Sequence, residues 1–327
     1  MTSAKRPTYL LATLLLAFAL PAFAQTPSPA TTATPAPGPA WTKQLPPAPD
    51  RAPAASGKIT GPEEIVIGKG GDQDLHAEFA YPNNSTKPLP AIIYVHGGGW
   101  ARGGYKGAPL VRMAVDGYFA ASIEYRFSNV AKWPAQLEDC KLAVRWLRAN
   151  AAKYNVDPDR IGVFGASAGG HLVDCLATMD EPKYEGTGGY PGVSSAVQAV
   201  VDFYGPTDFT RPEIYSPAAL KLTEGLFGVP CATNPALWKS GSPLYSVKPG
   251  TPPTLLVHGE EDHLVPPAQS TEYADALEKA RVPHQVLMVR NAGHDFAPAT
   301  PGTTIDPSVP EIQKAVMAFF DKYLKGQ

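Results

Sequence analysis

Residues 161–172 read IGVFGASAGGHL, and the rest of the chain is organised around them. The apolar run 161–164 predicts a short strand. It turns through Gly165-Ala166-Ser167-Ala168-Gly169 into a run of small and apolar residues that predicts a helix. A G-x-S-x-G turn of this kind forces the serine into a strained backbone conformation, so the positions two before and two after it must be small. The helix that starts there points free amides and its positive end at whatever collects beside Ser167, which suits an oxyanion. The same pattern also fits a glycine-rich turn around an ordinary serine, so the reading needs partners elsewhere.

Working outward, strands and helices alternate. Residues 64–68 and 75–81 predict a hairpin, and 91–95, 117–125, 196–204, 254–258 and 284–289 predict further strands, several of them continuous apolar runs as in strands buried on both faces. Helices are predicted over 134–154, 266–281 and 309–324, with short helical pieces at 217–227 and 234–238 inside a weakly periodic insertion, 205–253. Such alternation implies an α/β fold: a mostly parallel central sheet with helices on both faces.

The ends of the chain's composition are uneven. Lys5 and Arg6 precede the apolar stretch 9–20, and Ala22-Phe23-Ala24 fits a small-x-small cleavage site, so residues 1–24 are expected to be a signal peptide and the protein to be exported, to the periplasm or beyond. The apolar run is short for a bilayer span, so no stable membrane insertion is expected. Residues 25–62, rich in Pro, Ala and Thr, are expected to be a disordered linker, with the catalytic domain over 63–327. A formal net charge of -2 and 18% charged residues offer no basic field for nucleic acid. Of the three cysteines, Cys140 and Cys175 fall on predicted core-facing helices as free thiols, and a bridge from either to Cys231 stays open.

A serine hydroxyl needs a base and a group to orient it. Asp262 lies just past the apolar run 254–258, and His294 just past the last predicted strand, giving the chain order Ser, Asp, His with each beyond a strand's carboxyl end. Glu260 and Glu261 adjoin Asp262 and are rivals to it, but position in the loop favours Asp262. Among seven histidines, His76 and His284 lie within strands, His96 and His258 suit loop bracing, and His171 sits a helical turn past Ser167 on the wrong side to take its proton; His263 needs an unusual loop. Upstream, His96-Gly97-Gly98-Gly99-Trp100 follows a buried strand, and consecutive glycines let backbone amides approach a ligand closely.

Together, His96 to Trp100, Glu124-Tyr125-Arg126, the 134–140 stretch PAQLEDC, the serine turn, Tyr204-Gly205-Pro206-Thr207-Asp208 and the Asp262 loop resemble the HGGG-type esterase/lipase branch of the α/β-hydrolases, closest to bacterial feruloyl and acetyl esterase-like (BD-FAE-like) members. The resemblance spans about residues 61–324. It implies an α/β-hydrolase fold, a carboxylic ester hydrolase acting through an acyl-enzyme, an oxyanion hole of the Gly98, Gly99 and Ala168 amides, and neither metal nor organic cofactor. Members of the broader branch carry an N-terminal helical cap where this chain has a proline-rich stretch, so Trp100, Tyr105 and the 205–253 insertion are expected to build the acyl pocket. The substrate expected is a small-molecule or polysaccharide-linked ester. Two other readings stay open: a serine aminopeptidase-like hydrolase, which would carry a further domain to select peptides, and a non-catalytic binding protein, which would lack a member of the triad.

Overall fold

The computed structural model describes residues 58–326. The expected signal peptide and most of the expected linker lie outside the described residues. The fold begins ahead of residue 63: strand β1 (Ile59–Gly70) pairs antiparallel with β2 (Gln73–Pro82), Thr60 facing Tyr81. Pro62 reads as linker in the sequence, yet β1 is the sheet's edge strand, where a missing amide costs no ladder bond.

Eight strands form one sheet in the order β1-β2-β4-β3-β5-β6-β7-β8. Beyond the antiparallel β1 and β2, the strands β4 (Phe119–Ile123), β3 (Leu89–Val95), β5 (Val156–Ala166), β6 (Ala199–Phe203), β7 (Thr254–Gly259) and β8 (His284–Val289) run parallel. This is the α/β-hydrolase architecture. The helices of the described residues are α1 (Leu110–Val115), α2 (Ala135–Ala149), α3 (Ala168–Thr178), α4 (Pro217–Phe227), α5 (Pro235–Ser240), α6 (Ala268–Lys279) and α7 (Val309–Phe320). Six-residue α1, uncapped and with Val111 and Val115 exposed, has too little periodicity to be read from sequence.

Alternate side chains of each central strand feed opposite layers. Ala91, Ile93 and Val95 of β3 join the core that holds Leu137, Leu147 and Leu172 from α2 and α3, while Ile92 joins the one that holds Ile312, Val316 and Phe320 from α7. Burial on both faces explains why these strands are unbroken apolar runs. The 205–253 insertion is no loose cover: Phe209 and Trp238 are fully buried in the same core as α2 and α3.

Parallel strands put all their carboxyl ends at one rim, the natural place for a site. Between β5 and α3 the chain reverses within one residue, Ser167, at φ 55° and ψ -117°, a conformation that costs about 1–3 kcal/mol. The reversal demands close backbone contact: a Cβ on Gly169 would lie 2.1 Å from the Val95 carbonyl oxygen. Gly169→Ala should therefore lower stability by about 1–3 kcal/mol in urea unfolding, whereas Gly104→Ala, with open space around its Cβ, should be nearly neutral.

Candidate active site

Five loops meet at the carboxyl rim. They follow β3 (His96 to Trp100), β5 (Ser167), β6 (Tyr204), β7 (Asp262) and β8 (His294). The β7 and β8 loops are zipped through their backbones, the Glu260 amide donating to Val289 O and the Glu261 amide to Ala292 O, both at 2.9 Å. A Cβ on Gly259 would lie 2.4 Å from Ala292 O, which measures how closely the loops approach. Glu260 and Glu261 send their side chains to solvent, and Asp262 turns inward, 3% exposed.

Every acceptor position of the Asp262 carboxylate is engaged. Oδ1 accepts the Leu264 and Val265 amides at 2.8 and 2.9 Å, and Oδ2 accepts Nδ1–H of His294 at 2.7 Å. His258, fully buried, places Nε2 2.9 Å from Val265 O and 3.3 Å from the same Oδ2; two acceptors mean that Nε2 carries a proton, while the Ser270 hydroxyl donates to Nδ1 at 2.7 Å. Burial pushes the Asp262 carboxyl up, but the bonds from His258 and His294, the His294 charge and the Val265 amide outweigh it and hold the group well below the ordinary carboxylate range. With Nδ1–H held by Asp262, the neutral form of His294 carries its lone pair on Nε2, the tautomer a general base needs.

Ser167 reaches this pair through β6. Its amide donates to Phe203 O at 2.8 Å, and the next residue, Tyr204 (φ 46°), sets its ring 4.5 Å from the His294 ring and 5.0 Å from Phe296. Among the described residues no hydrogen bond reaches the Ser167 hydroxyl; such bonds commonly tighten only when substrate arrives. Tyr204 is thus a positioning group whose role the sequence hid, because the left-handed turn after β6 has no local signature.

On the β3 loop, Gly98 holds φ 114°, and a Cβ there would lie 2.1 Å from Arg102 O. The amides of Gly98, Gly99 and Ala168 meet no acceptor among the described residues, which leaves them free for a ligand oxygen. His96 donates Nδ1–H to Gly97 O at 2.7 Å and stacks on Tyr125, so it braces the loop, as expected; burial pushes its pKa down. His171 is tied at both ring nitrogens, donating to Gly241 O at 2.8 Å and accepting from Trp100 Nε1 at 3.2 Å, and burial pushes it down to about 4. His76 bonds Glu124, and His284 bonds Val282 O; His263 is exposed.

The expected pocket residues are seated differently from that expectation. Trp100 is 4% exposed, packed edge-on against His171 and Phe209 behind the glycine loop. Tyr105 donates to Glu64 at 2.6 Å and stacks on His76, at the antiparallel edge of the sheet. What abuts the glycine loop is Leu222 of α4, whose Cδ1 would lie 2.7 Å from a Cβ on Gly99. A cleft of about 710 Å³, lined by Lys141, Glu185, Tyr190 and Lys248, opens at the opposite rim, beside the residues that lead into β6 and β7. All three cysteines are free thiols. Among the described residues no cluster of His, Cys, Asp and Glu could hold a metal, and no helix is long and apolar enough to cross a membrane.

The comparisons with known proteins converge on one family. The BD-FAE family model matches residues 78–277. Esterase LipQ of Mycobacterium tuberculosis is 34% identical over 66% of this chain and 52% of its own length, so the chain spans about half of that relative. A truncated carbohydrate esterase from gut microbiota superposes with a TM-score of 0.66 at 27% identity, over 84% of this chain and 100% of that one. The acetyl ester-xyloside bifunctional hydrolase of Caldicellulosiruptor lactoaceticus gives 0.65 at 28% identity, over 80% and 96%.

The low Asp262 pKa fixes a stability dependence. A depressed carboxyl stabilises the fold above its unfolded value, about 4, and that contribution fades as pH falls below it. Asp262→Asn should cost roughly 2–4 kcal/mol at neutral pH, and the gap to the parent protein, followed by urea unfolding, should narrow steadily below about pH 4.

Proposed function

The chain belongs to the BD-FAE family of α/β-hydrolases, and on that footing we propose that it is a serine carboxylesterase with Ser167, His294 and Asp262 as its catalytic triad. The observation that carries this is the 2.7 Å bond from His294 Nδ1 to the buried Asp262, at the same rim as the strained turn of Ser167. His294 Nε2 takes the Ser167 proton as Oγ attacks the ester carbonyl; Asp262 holds the imidazole tautomer and stabilises the imidazolium. The Gly98, Gly99 and Ala168 amides receive the oxyanion, whose collapse expels the alcohol as His294 returns the proton. Water, activated by the same imidazole, then releases the acid from the acyl-enzyme.

The substrate we propose is a short-chain or aromatic acyl ester, acetyl or feruloyl, carried on a plant polysaccharide. Support comes from the carbohydrate-esterase and acetyl ester-xyloside structures that this chain resembles. Residues 1–24 act, in this reading, as a cleaved export signal, which places the enzyme where such polymers are met.

Three measurements test these statements. Ser167→Ala should lower kcat on p-nitrophenyl acetate by a factor on the order of 10⁵–10⁶, and Asp262→Asn by roughly 10⁴, with the circular dichroism spectrum of each intact; parental rates for either variant would remove that residue from the triad. Acetylated xylan and methyl ferulate should be cleaved in preference to long-chain p-nitrophenyl esters, and the opposite order would overturn the polysaccharide reading alone. Edman sequencing of the exported protein should begin at Gln25.

A further inference from the structure

Directly beneath the serine turn lie two carboxyl groups, one on α3 and one on β6. Asp174 of α3 and Asp202 of β6 are both 0% exposed. Both Asp174 oxygens and Oδ2 of Asp202 lack a protein hydrogen-bond donor, and Asp202 packs its carboxyl on Gly170 of α3, one helical turn ahead of Asp174, so the two carboxyls are neighbours. Two adjacent carboxylates in a dry interior cannot both ionise without a large desolvation and repulsion cost. The titratable groups that face them are His258 of β7, Tyr273 of α6, whose hydroxyl also lacks a partner, and the Cys175 thiol of α3; none is a lysine or arginine.

Asp202 also occupies a junction. Its Oδ1 accepts the Gly205 amide at 2.8 Å and would lie 2.0 Å from a Cβ on Gly170 in the first turn of α3. The two residues that follow it are Phe203, whose carbonyl holds the Ser167 amide, and Tyr204, whose ring packs on His294. A shift of Asp202 would therefore move the nucleophile and the base relative to each other.

We propose that Asp202 is a positioning residue for the candidate site and that a single proton, donated by the Asp174 carboxyl to Asp202, holds it there. The two groups titrate as a pair. Burial pushes Asp202 up to about 6, opposed by the neighbouring His258, and burial together with the Asp202 charge pushes Asp174 well above the usual carboxyl range. Since the native state binds these protons more tightly than the unfolded chain does, their stabilisation is complete below about pH 4 and is lost as pH rises through 6 and beyond. Losing the last proton sets two charges against each other under the elbow.

Asparagine at position 174 keeps a donor to Asp202 with no proton to lose; alanine removes the donor. Asp174→Asn should retain the parental kcat and extend the alkaline limb of the pH–rate profile upward, and its melting temperature should fall less between pH 6 and 9 than that of the parent protein. Asp174→Ala should lower kcat by roughly ten- to a hundredfold with KM little changed. At neutral pH the parent protein should show the infrared carbonyl band of a protonated carboxyl, absent from Asp174→Asn. The kinetic arm rests on the esterase reading above, whereas the infrared and melting arms do not and should read the same in Ser167→Ala. Equal alkaline loss of melting temperature in the parent and Asp174→Asn, or no difference in the infrared band, would overturn the shared proton. An Asp174→Asn enzyme as impaired as Asp174→Ala would overturn the positioning role, and if the alanine variant does not fold, a tenfold loss in Asp174→Asn alone does the same.

Discussion

The Asp262 carboxylate, withdrawn from water and saturated with donors, is the interaction on which the site depends. Two amides of its own loop, His258 from below and His294 from the neighbouring loop converge on its two oxygens. A buried ion without such partners would be costly, and with them it fixes two loops that would otherwise be independent. The backbone zipper between residues 260–261 and 289–292 brings the loops within reach, and the carboxylate then chooses the imidazole's tautomer and orientation.

The other half of the site is held by sterics rather than charge. The reversal at Ser167 succeeds because bare backbone packs against bare backbone there, and β6 links it to the charged half: Phe203 anchors the serine amide and Tyr204 lies on the histidine. The nucleophile and its base are thus positioned by four adjacent strand ends, β5 to β8, stiffened by cores that lie on both faces of the sheet.

The insertion 205–253 shows how weak periodicity conceals order. It sits against the main core through Phe209 ahead of its helices and through Leu226, Phe227 and Trp238 within them, and Gly241 receives His171 from the elbow helix. Trp100 is drawn into this packing, which is why an aromatic residue next to a glycine loop ends as core instead of pocket wall. Leu222, with no sequence mark beyond its place in a short helix, lies against Gly99.

Local sequence was enough for the central strands, the long helices, the serine turn, and the order in which Ser167, Asp262 and His294 follow strand ends, because each is set by periodicity, by small residues at fixed spacing, or by chain order in a parallel sheet. The same local rules placed His96 and His258 in bracing positions and set His171, a helical turn past Ser167, on the wrong side to act as base. Position in the loop favoured Asp262 over Glu260 and Glu261, and the fold supplies the reason by turning it alone inward; only the tertiary structure seated Trp100 and Tyr105, extended the first strand through Pro62, and set Asp174 against Asp202. Each of these is a contact between residues distant in sequence. Its sign and partner follow from which strands are neighbours and how deeply water is excluded, and no window of the chain contains that information.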